Sequence, residues 1–203
     1  NEDESIIKSI LIKWYRKNKR NLPWRISRKN SLPDPYYVFV SEYMLQQTTV
    51  GTVTNRFKEF ILKWPSIEVL SKISETQILN FWSGLGYYSR ATNLLKSSKI
   101  IKNKFRSKIP NNYNDLIELP GIGDYTAKAI LGIAYNKPVM PIDANIERIL
   151  ARLYGFELPL EKIKNKLKNK SNLFVSTNYA TNLIQGFMDY GSIICKPQNP
   201  DCI

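Results

Sequence analysis

Histidine is absent from the 203 residues. No Ser-His-Asp or Cys-His nucleophile can therefore be assembled, and no histidine-ligated zinc or haem site. Cysteine occurs twice, too few for a disulfide framework. The opening Asn1-Glu2-Asp3-Glu4 has neither the basic start nor the apolar core of a secretory signal. No apolar run approaches the roughly 18 residues that a membrane helix needs. Acids are scarce: 17 Asp and Glu stand against 30 Lys and Arg, a net charge of +13. So large a positive excess is the footprint of a polyanion partner, most simply nucleic acid. Hydrophobic residues at 43% with 23% charged residues describe a folded chain rather than a disordered one. A soluble, polyanion-binding protein of a reducing compartment is expected. The chain opens on Asn1 and stops one residue after Cys202, and is read as a segment trimmed from a longer protein.

What is present is helical periodicity almost throughout. Ile6, Ile7, Ile10, Leu11 and Trp14 form one stripe, and Val53, Phe57, Phe60, Ile61 and Trp64 another. Ser74 to Gln77 is a capping-box pattern. Tyr36 to Val40 admits a strand, but the residues that follow fit a helix better. Short Pro- and Gly-containing joints separate the segments. The expected fold is all-α and two-lobed. A central lobe spans 23–138, and 1–22 with 139–203 make the second. Positive charge is clumped: nine Lys/Arg and no acid between Ser5 and Pro33, seven and none between Gly86 and Pro110, five Lys from Lys162 to Lys170. A solvated helix face explains the third clump as well as a ligand does. The first two suit a phosphate backbone.

Leu119-Pro120-Gly121-Ile122-Gly123, directly before the Ala-rich run from Asp124, is the most informative local signal. Glycine permits positive φ and close approach of a ligand to the backbone. The helix that follows offers free N–H groups and the positive end of its dipole. An ordinary helix–turn–helix joint with a glycine cap is the structural alternative.

Without histidine, acid–base work falls to carboxylates, Tyr, Lys or Cys. Glu42 lies among apolar and aromatic residues, with no basic residue between Lys29 and Arg56. Buried there, it would hold a proton near neutrality; as a simple helix N-terminal acid it would only favour the dipole. Asp143 stands between an extended Pro-containing segment and an apolar-periodic helix, the place of an N-cap. The cap is a complete structural explanation, and it also suits an ionised carboxylate that stabilises a developing cation. One protonated and one ionised carboxyl form the pattern that breaks glycosidic bonds.

In order along the chain run Leu22-Pro-Trp-Arg25, Ser41-Glu-Tyr-Met-Leu-Gln-Gln-Thr48, Gly84-Leu-Gly-Tyr-Tyr-Ser-Arg90, the Leu-Pro-Gly-Ile-Gly hairpin, Asp143-Ala-Asn-Ile-Glu-Arg148 and Cys195-x6-Cys202. Together they resemble the catalytic domain of the MutY family of adenine DNA glycosylases, within the helix-hairpin-helix DNA glycosylase superfamily. The resemblance covers essentially the whole chain. It implies a monofunctional base excision repair enzyme, acting as a monomer on double-stranded DNA, that flips out and hydrolyses adenine mispaired with 8-oxoguanine or guanine. It implies a cytoplasmic, nucleoid-associated enzyme if the source is bacterial. By resemblance Glu42 protonates the adenine and activates water, Asp143 stabilises the oxocarbenium-like sugar, and Tyr125 and Asn145 orient sugar and carboxylates. Leu22, Trp24, Arg25 and Gln185 surround the flipped adenine. Gln47 and Tyr87 wedge into the duplex, and Gly121 and Gly123 hold phosphate, whereas Tyr88 is expected to pack in the core. The endonuclease III branch carries a Schiff-base lysine where this chain has Tyr125, so strand cleavage should be weak or absent. Lys128 is not assigned that role. The family's iron–sulfur loop takes four cysteines around a 4Fe-4S cluster, of which Cys195 and Cys202 match two. The cluster would be structural, and the chemistry itself needs no metal. The family's usual Asp-Gly-Asn reads Asp143-Ala144-Asn145 here, which could shift the Asp143 cap. A bifunctional glycosylase/lyase and a non-catalytic DNA-binding protein are the alternatives.

Overall fold

The computed structural model describes residues 2–26, 32–176 and 178–202. Arg28 and Lys29 of the first basic clump lie outside the described residues. Eleven α-helices and one 3-10 turn make up the regular structure of the described residues, with no strand. The chain divides into two compact units: Asn21–Tyr135, and Asn1–Arg20 together with Asn136–Ile203.

The first unit is organised on α2 (Pro35–Leu45). Asp34 caps this helix, its side chain accepting from Tyr36 N–H, and Pro35 fills the first turn, where no N–H donor is needed. Those two signals decide for helix over strand at Tyr36 to Val40. From Val38 to Met44 every residue is buried. Such an all-round buried helix needs neighbours on every side. They are the Pro23–Arg25 turn, α3 (Val50–Lys63), α6 (Ser89–Lys104) and α8 (Asp124–Tyr135). Val53, Phe57, Phe60 and Trp64 of α3 are buried as the periodicity predicts. The short helices α4 (Ile67–Leu70) and α5 (Glu75–Trp82) pack on α6, and α5 opens with the capping box of Ser74 and Gln77. Helix α7 (Tyr113–Ile117) leads into the hairpin and packs on α8.

In the second unit α1 (Glu2–Asn18) packs on α11 (Ala180–Ile193), α11 on α9 (Ala144–Leu153), and α9 on α10 (Leu160–Asn172). The buried face of α1 matches the predicted stripe only in part, at Leu11, with Ile7 and Trp14 half-buried. Ile6 and Ile10 are 53% and 62% exposed, while Glu4, Leu11 and Tyr15 are buried. The reason lies on the facing helix: Gly186 leaves room there, and a Cβ at that position would stand 3.3 Å from both Leu11 Cγ and Tyr15 Cβ. The missing side chain draws Leu11 and Tyr15 inward and rotates Ile6 and Ile10 out. The end of α1 is pinned to α11 by Arg20, whose Nε donates to Asp189 Oδ1 at 2.6 Å and whose backbone N–H donates to Oδ2 at 3.0 Å. On α10, Lys162, Lys164, Lys166 and Lys168 are all exposed, and Ile163 and Leu167 face inward.

Candidate active site

The hairpin turn is buttressed from beneath. Pro120 O accepts hydrogen bonds from Tyr43 Oη at 2.5 Å and Ser97 Oγ at 3.0 Å, and Gly121 O accepts from Gln46 Nε2 at 3.2 Å. Burial pushes the Tyr43 hydroxyl well above its ordinary range, so it remains a donor at physiological pH. Gly121 is required twice over: its φ is +82°, and a Cβ there would lie 3.0 Å from Asn93 Cβ, Asn93 Nδ2 and Tyr43 Cε1. Gly121→Ala is therefore expected to lower stability by about 1–3 kcal/mol, read by urea denaturation. An unchanged midpoint would show that the turn relaxes freely. Gly123 differs. An added Cβ there would meet nothing within 4 Å, so no contact within the chain demands glycine at this position.

Glu42 lies in the last turn of α2 and is 7% exposed. The reading as a helix N-terminal acid is thereby overturned, because the negative end of the dipole gives an anion no support there. Two other carboxylates are buried among the described residues, Glu4 and Asp189. Both are committed to structure: Glu4 Oε1 accepts from Tyr154 Oη at 3.2 Å, and Asp189 binds Arg20. The helix that carries Glu42 packs on α8, which carries Tyr125 as its second residue, half-buried. Lys128 of α8 pairs with Asp124 at 2.8 Å. The same unit holds Leu22 and Trp24, both buried, and half-buried Arg25. Trp24 stands edge-on to Phe57 with centroids 5.5 Å apart. Gln47 and Tyr87 are exposed, and Tyr88, expected in the core, is 48% exposed. Tyr88 occupies the N-cap position of α6, at the end of the loop that follows α5.

The second unit builds a different cluster. Asp143 caps α9, and each of its oxygens is engaged: Oδ1 accepts from Ile146 N–H at 2.8 Å and Oδ2 from Asn145 Nδ2 at 3.0 Å. Ala144 is exposed, and the Asp143 cap forms with alanine in that place. Asn145 is in turn held through its Oδ1 by Arg148 Nη2 at 2.8 Å. Arg148 also donates to Gly191 O and to Cys195 O, each at 2.7 Å. A Cβ on Gly191 would lie 2.6 Å from Asn145 Cβ, so glycine lets α11 close on α9 and fixes Asn145 between them. Gln185 is buried on α11, donating to Thr181 O at 3.2 Å while its Oε1 has no hydrogen-bond partner. An unpaired buried amide oxygen is costly in a folded core.

Residues 40–172 match the family described as HhH-GPD superfamily base excision DNA repair protein. The chain belongs to this superfamily. Over 97% of its length this HhH-GPD chain is 42% identical to an adenine DNA glycosylase of Buchnera aphidicola subsp. Schizaphis graminum, covering 56% of that protein. It is 35% identical to the adenine DNA glycosylase of Mus musculus over 98% of the chain, covering 40% of the mouse protein. The chain thus spans about half the length of such relatives. Among solved structures it resembles a thermostable thymine-DNA glycosylase, with a TM-score of 0.86 and 27% identity, covering 100% of this chain and 92% of the other. That match confirms the all-helical HhH-GPD fold over the full chain.

Sequence reasoning singled out Glu42, Asp143, Asn145, Tyr125 and the hairpin glycines, but not the residues beneath them. Tyr43, Ser97, Arg90 and Arg148 act through contacts distant in sequence, and no spacing announces those.

The cysteines provide a test for a four-iron cluster. Cys195 is buried, its sulfur accepting from Arg152 Nη1 at 3.2 Å, and Cys202 is exposed. Among the described residues no group of three or more His, Cys, Asp or Glu is placed to hold a metal ion. A 4Fe-4S cluster takes four thiolates, and these residues supply two. By themselves they do not fit the group, and no step below passes through it.

Proposed function

We propose that this chain is the catalytic part of a monofunctional adenine DNA glycosylase that flips adenine from mispairs with 8-oxoguanine or guanine and hydrolyses its glycosidic bond. One observation carries the reading: Glu42, a carboxyl in a chain without histidine, is buried at the end of the helix that packs on the hairpin helix. Glu42 as the acid donates its proton to N7 of adenine. The bond from C1′ to N9 then breaks, its electron pair leaving with the base, and positive charge develops on the sugar. Asp143, fixed by Ile146 and Asn145, stabilises that charge. The Glu42 carboxylate takes a proton from water as the water oxygen bonds to C1′, which regenerates the acid and leaves an abasic site.

Tyr125 offers no amine for a Schiff base, which supports hydrolysis without strand cleavage. Leu22, Trp24, Arg25 and Gln185 are assigned to the adenine, with the Gln185 oxygen as acceptor for an amine donor. Gln47 and Tyr87 are assigned to the duplex, as wedges that replace lost stacking. Cys195 and Cys202 are assigned as two ligands of a structural cluster in the whole protein.

Gly123 is assigned to a DNA phosphate, approached closely because no side chain intervenes. Gly123→Ala should leave stability within about 0.5 kcal/mol yet weaken duplex binding whatever its sequence; unchanged binding would remove the residue from the interface. The deciding experiment is a single-turnover assay on duplexes with adenine opposite 8-oxoguanine, adenine opposite guanine, and thymine glycol opposite adenine, with and without hot alkali. Alkali-dependent cleavage at the mispaired adenine is expected. Alkali-independent cleavage at thymine glycol would place the chain in the lyase branch instead.

A further inference from the structure

Arg90 is the most unusual charged residue of the Asn21–Tyr135 unit. It is 6% exposed, and the partners found for its guanidinium are main-chain carbonyls. Its Nη1 donates to Tyr43 O at 3.2 Å, to Met44 O at 2.7 Å and to Gln46 O. Its Nη2 donates to Leu85 O at 2.8 Å and Gly86 O at 3.0 Å, and its Nε to Tyr87 O at 3.4 Å. The first three carbonyls belong to the end of α2 and the residue just after it. The other three belong to the Ser83–Tyr88 loop before α6. The guanidinium also lies 5.5 Å from the Trp82 ring centroid and 5.8 Å from that of Tyr87. Burying a cation is costly unless its donors are satisfied, and a planar fork satisfies them here in a way an ammonium group cannot.

What the fork grips is informative. Gln46 immediately precedes Gln47, and Gly86 immediately precedes Tyr87. Gln47 and Tyr87 are both non-glycine residues in the left-handed region, with φ of +55° and +46°. Both side chains are exposed, Tyr87 at 62%, so burial in the core does not offset the strain. Strained backbone of this kind persists only when its surroundings over-determine it. Arg90 supplies that over-determination for both loops at once, through the peptide planes that carry the two side chains.

We propose that Arg90 is a positioning residue that locks Gln47 and Tyr87 into one preassembled, two-pronged wedge, so that their spacing is set before DNA arrives. This rests on the assignment of Gln47 and Tyr87 to the duplex. Strand separation then needs no ordering of the two loops during encounter, which lowers the conformational cost of opening the mispair.

The test compares the unaltered chain with Arg90→Lys, with the double variant Gln47→Ala/Tyr87→Ala, and with all three changes together. Three readouts are taken: amide hydrogen exchange in 44–49 and 83–89, fluorescence of a duplex carrying 2-aminopurine in place of the mispaired adenine, and single-turnover base release. Arg90→Lys should speed exchange in both segments together. It should also diminish the 2-aminopurine signal and slow base release by about tenfold to a hundredfold, as expected when buried charged hydrogen bonds are lost, while binding to matched duplex holds. In the Gln47→Ala/Tyr87→Ala background, Arg90→Lys should cause little further loss of release. Exchange that rises in one segment or neither, or losses that add in full, would overturn the proposal. Should Arg90→Lys fail to fold, Gly86→Ala strains the second loop without a clash, since its φ is +70° and an added Cβ meets nothing within 4 Å. Faster exchange in 44–49 as well as 83–89 then supports the lock, and exchange confined to 83–89 overturns it. Absence of adenine release by the unaltered chain would refute the glycosylase reading, whereas exchange decides the coupling of the loops by itself.

Discussion

Glu42→Gln is expected to slow adenine release by roughly 10²- to 10⁴-fold, the usual worth of a general acid, while duplex affinity stays within a few fold. The two effects separate because different parts of the molecule carry them. In the proposed reaction base release needs a transferable proton at residue 42, and an amide of the same shape has none to give. Affinity for a duplex is expected to depend mainly on phosphate contacts from a chain with a net charge of +13, and removing one buried acid leaves that charge excess in place. The fold should also persist, because glutamine has the same shape and size as the buried glutamate it replaces. Single-turnover rates beside equilibrium binding on the same mispaired duplex check both halves. Residual activity within tenfold of the unaltered chain would take Glu42 out of the chemistry. Parallel loss of activity and binding would make it a structural residue.

Asp143 yields the second large effect, and here two substitutions separate two roles. Asp143→Asn should keep α9 intact, because asparagine caps helices about as well as aspartate. It removes the negative charge that the proposed reaction sets against the developing cation, and a loss of about 10²- to 10³-fold in base release is expected. Asp143→Ala removes the charge and the cap together, and should in addition cost about 1 kcal/mol of stability. Matching rates for the two variants, with only the alanine form destabilised, would assign the catalytic loss to charge. An active Asp143→Asn enzyme would reduce Asp143 to the cap that binds Ile146 N–H. Asn145 sharpens the comparison, since its Nδ2 donates to Asp143 Oδ2. An amide at 143 must turn its oxygen toward one donor and lose the other.

The cap at Asp143 and the capping box at Ser74 were legible in the sequence because each is a local event. A helix start is decided by three or four adjacent residues and by the backbone donors they satisfy. The hairpin was legible for the same reason, since Gly121 needs its left-handed φ within a five-residue string. The buried stripe of α3 could be read almost directly, while that of α1 could be read only in part. Ile6 and Ile10 lose the core to Leu11 and Tyr15 because Gly186, more than 170 positions away in sequence, leaves the gap that they fill. Tyr88 misleads similarly: a large aromatic residue is expected in the core, yet at the N-cap of α6 it is 48% exposed.

The sequence by itself determined the chemistry available to this protein: no histidine, scarce carboxylates, a strong positive excess, a glycine hairpin and an acid on either side of it in the chain. Those follow from which side chains exist and from short-range backbone rules. Tertiary structure alone decided which groups hold the others in place. Arg90 reaches carbonyls from Tyr43 to Tyr87, and Arg148 reaches from Asn145 to Cys195. A guanidinium carries five donors and no preference among distant acceptors, so its partners are fixed only when packing brings their carbonyls to it.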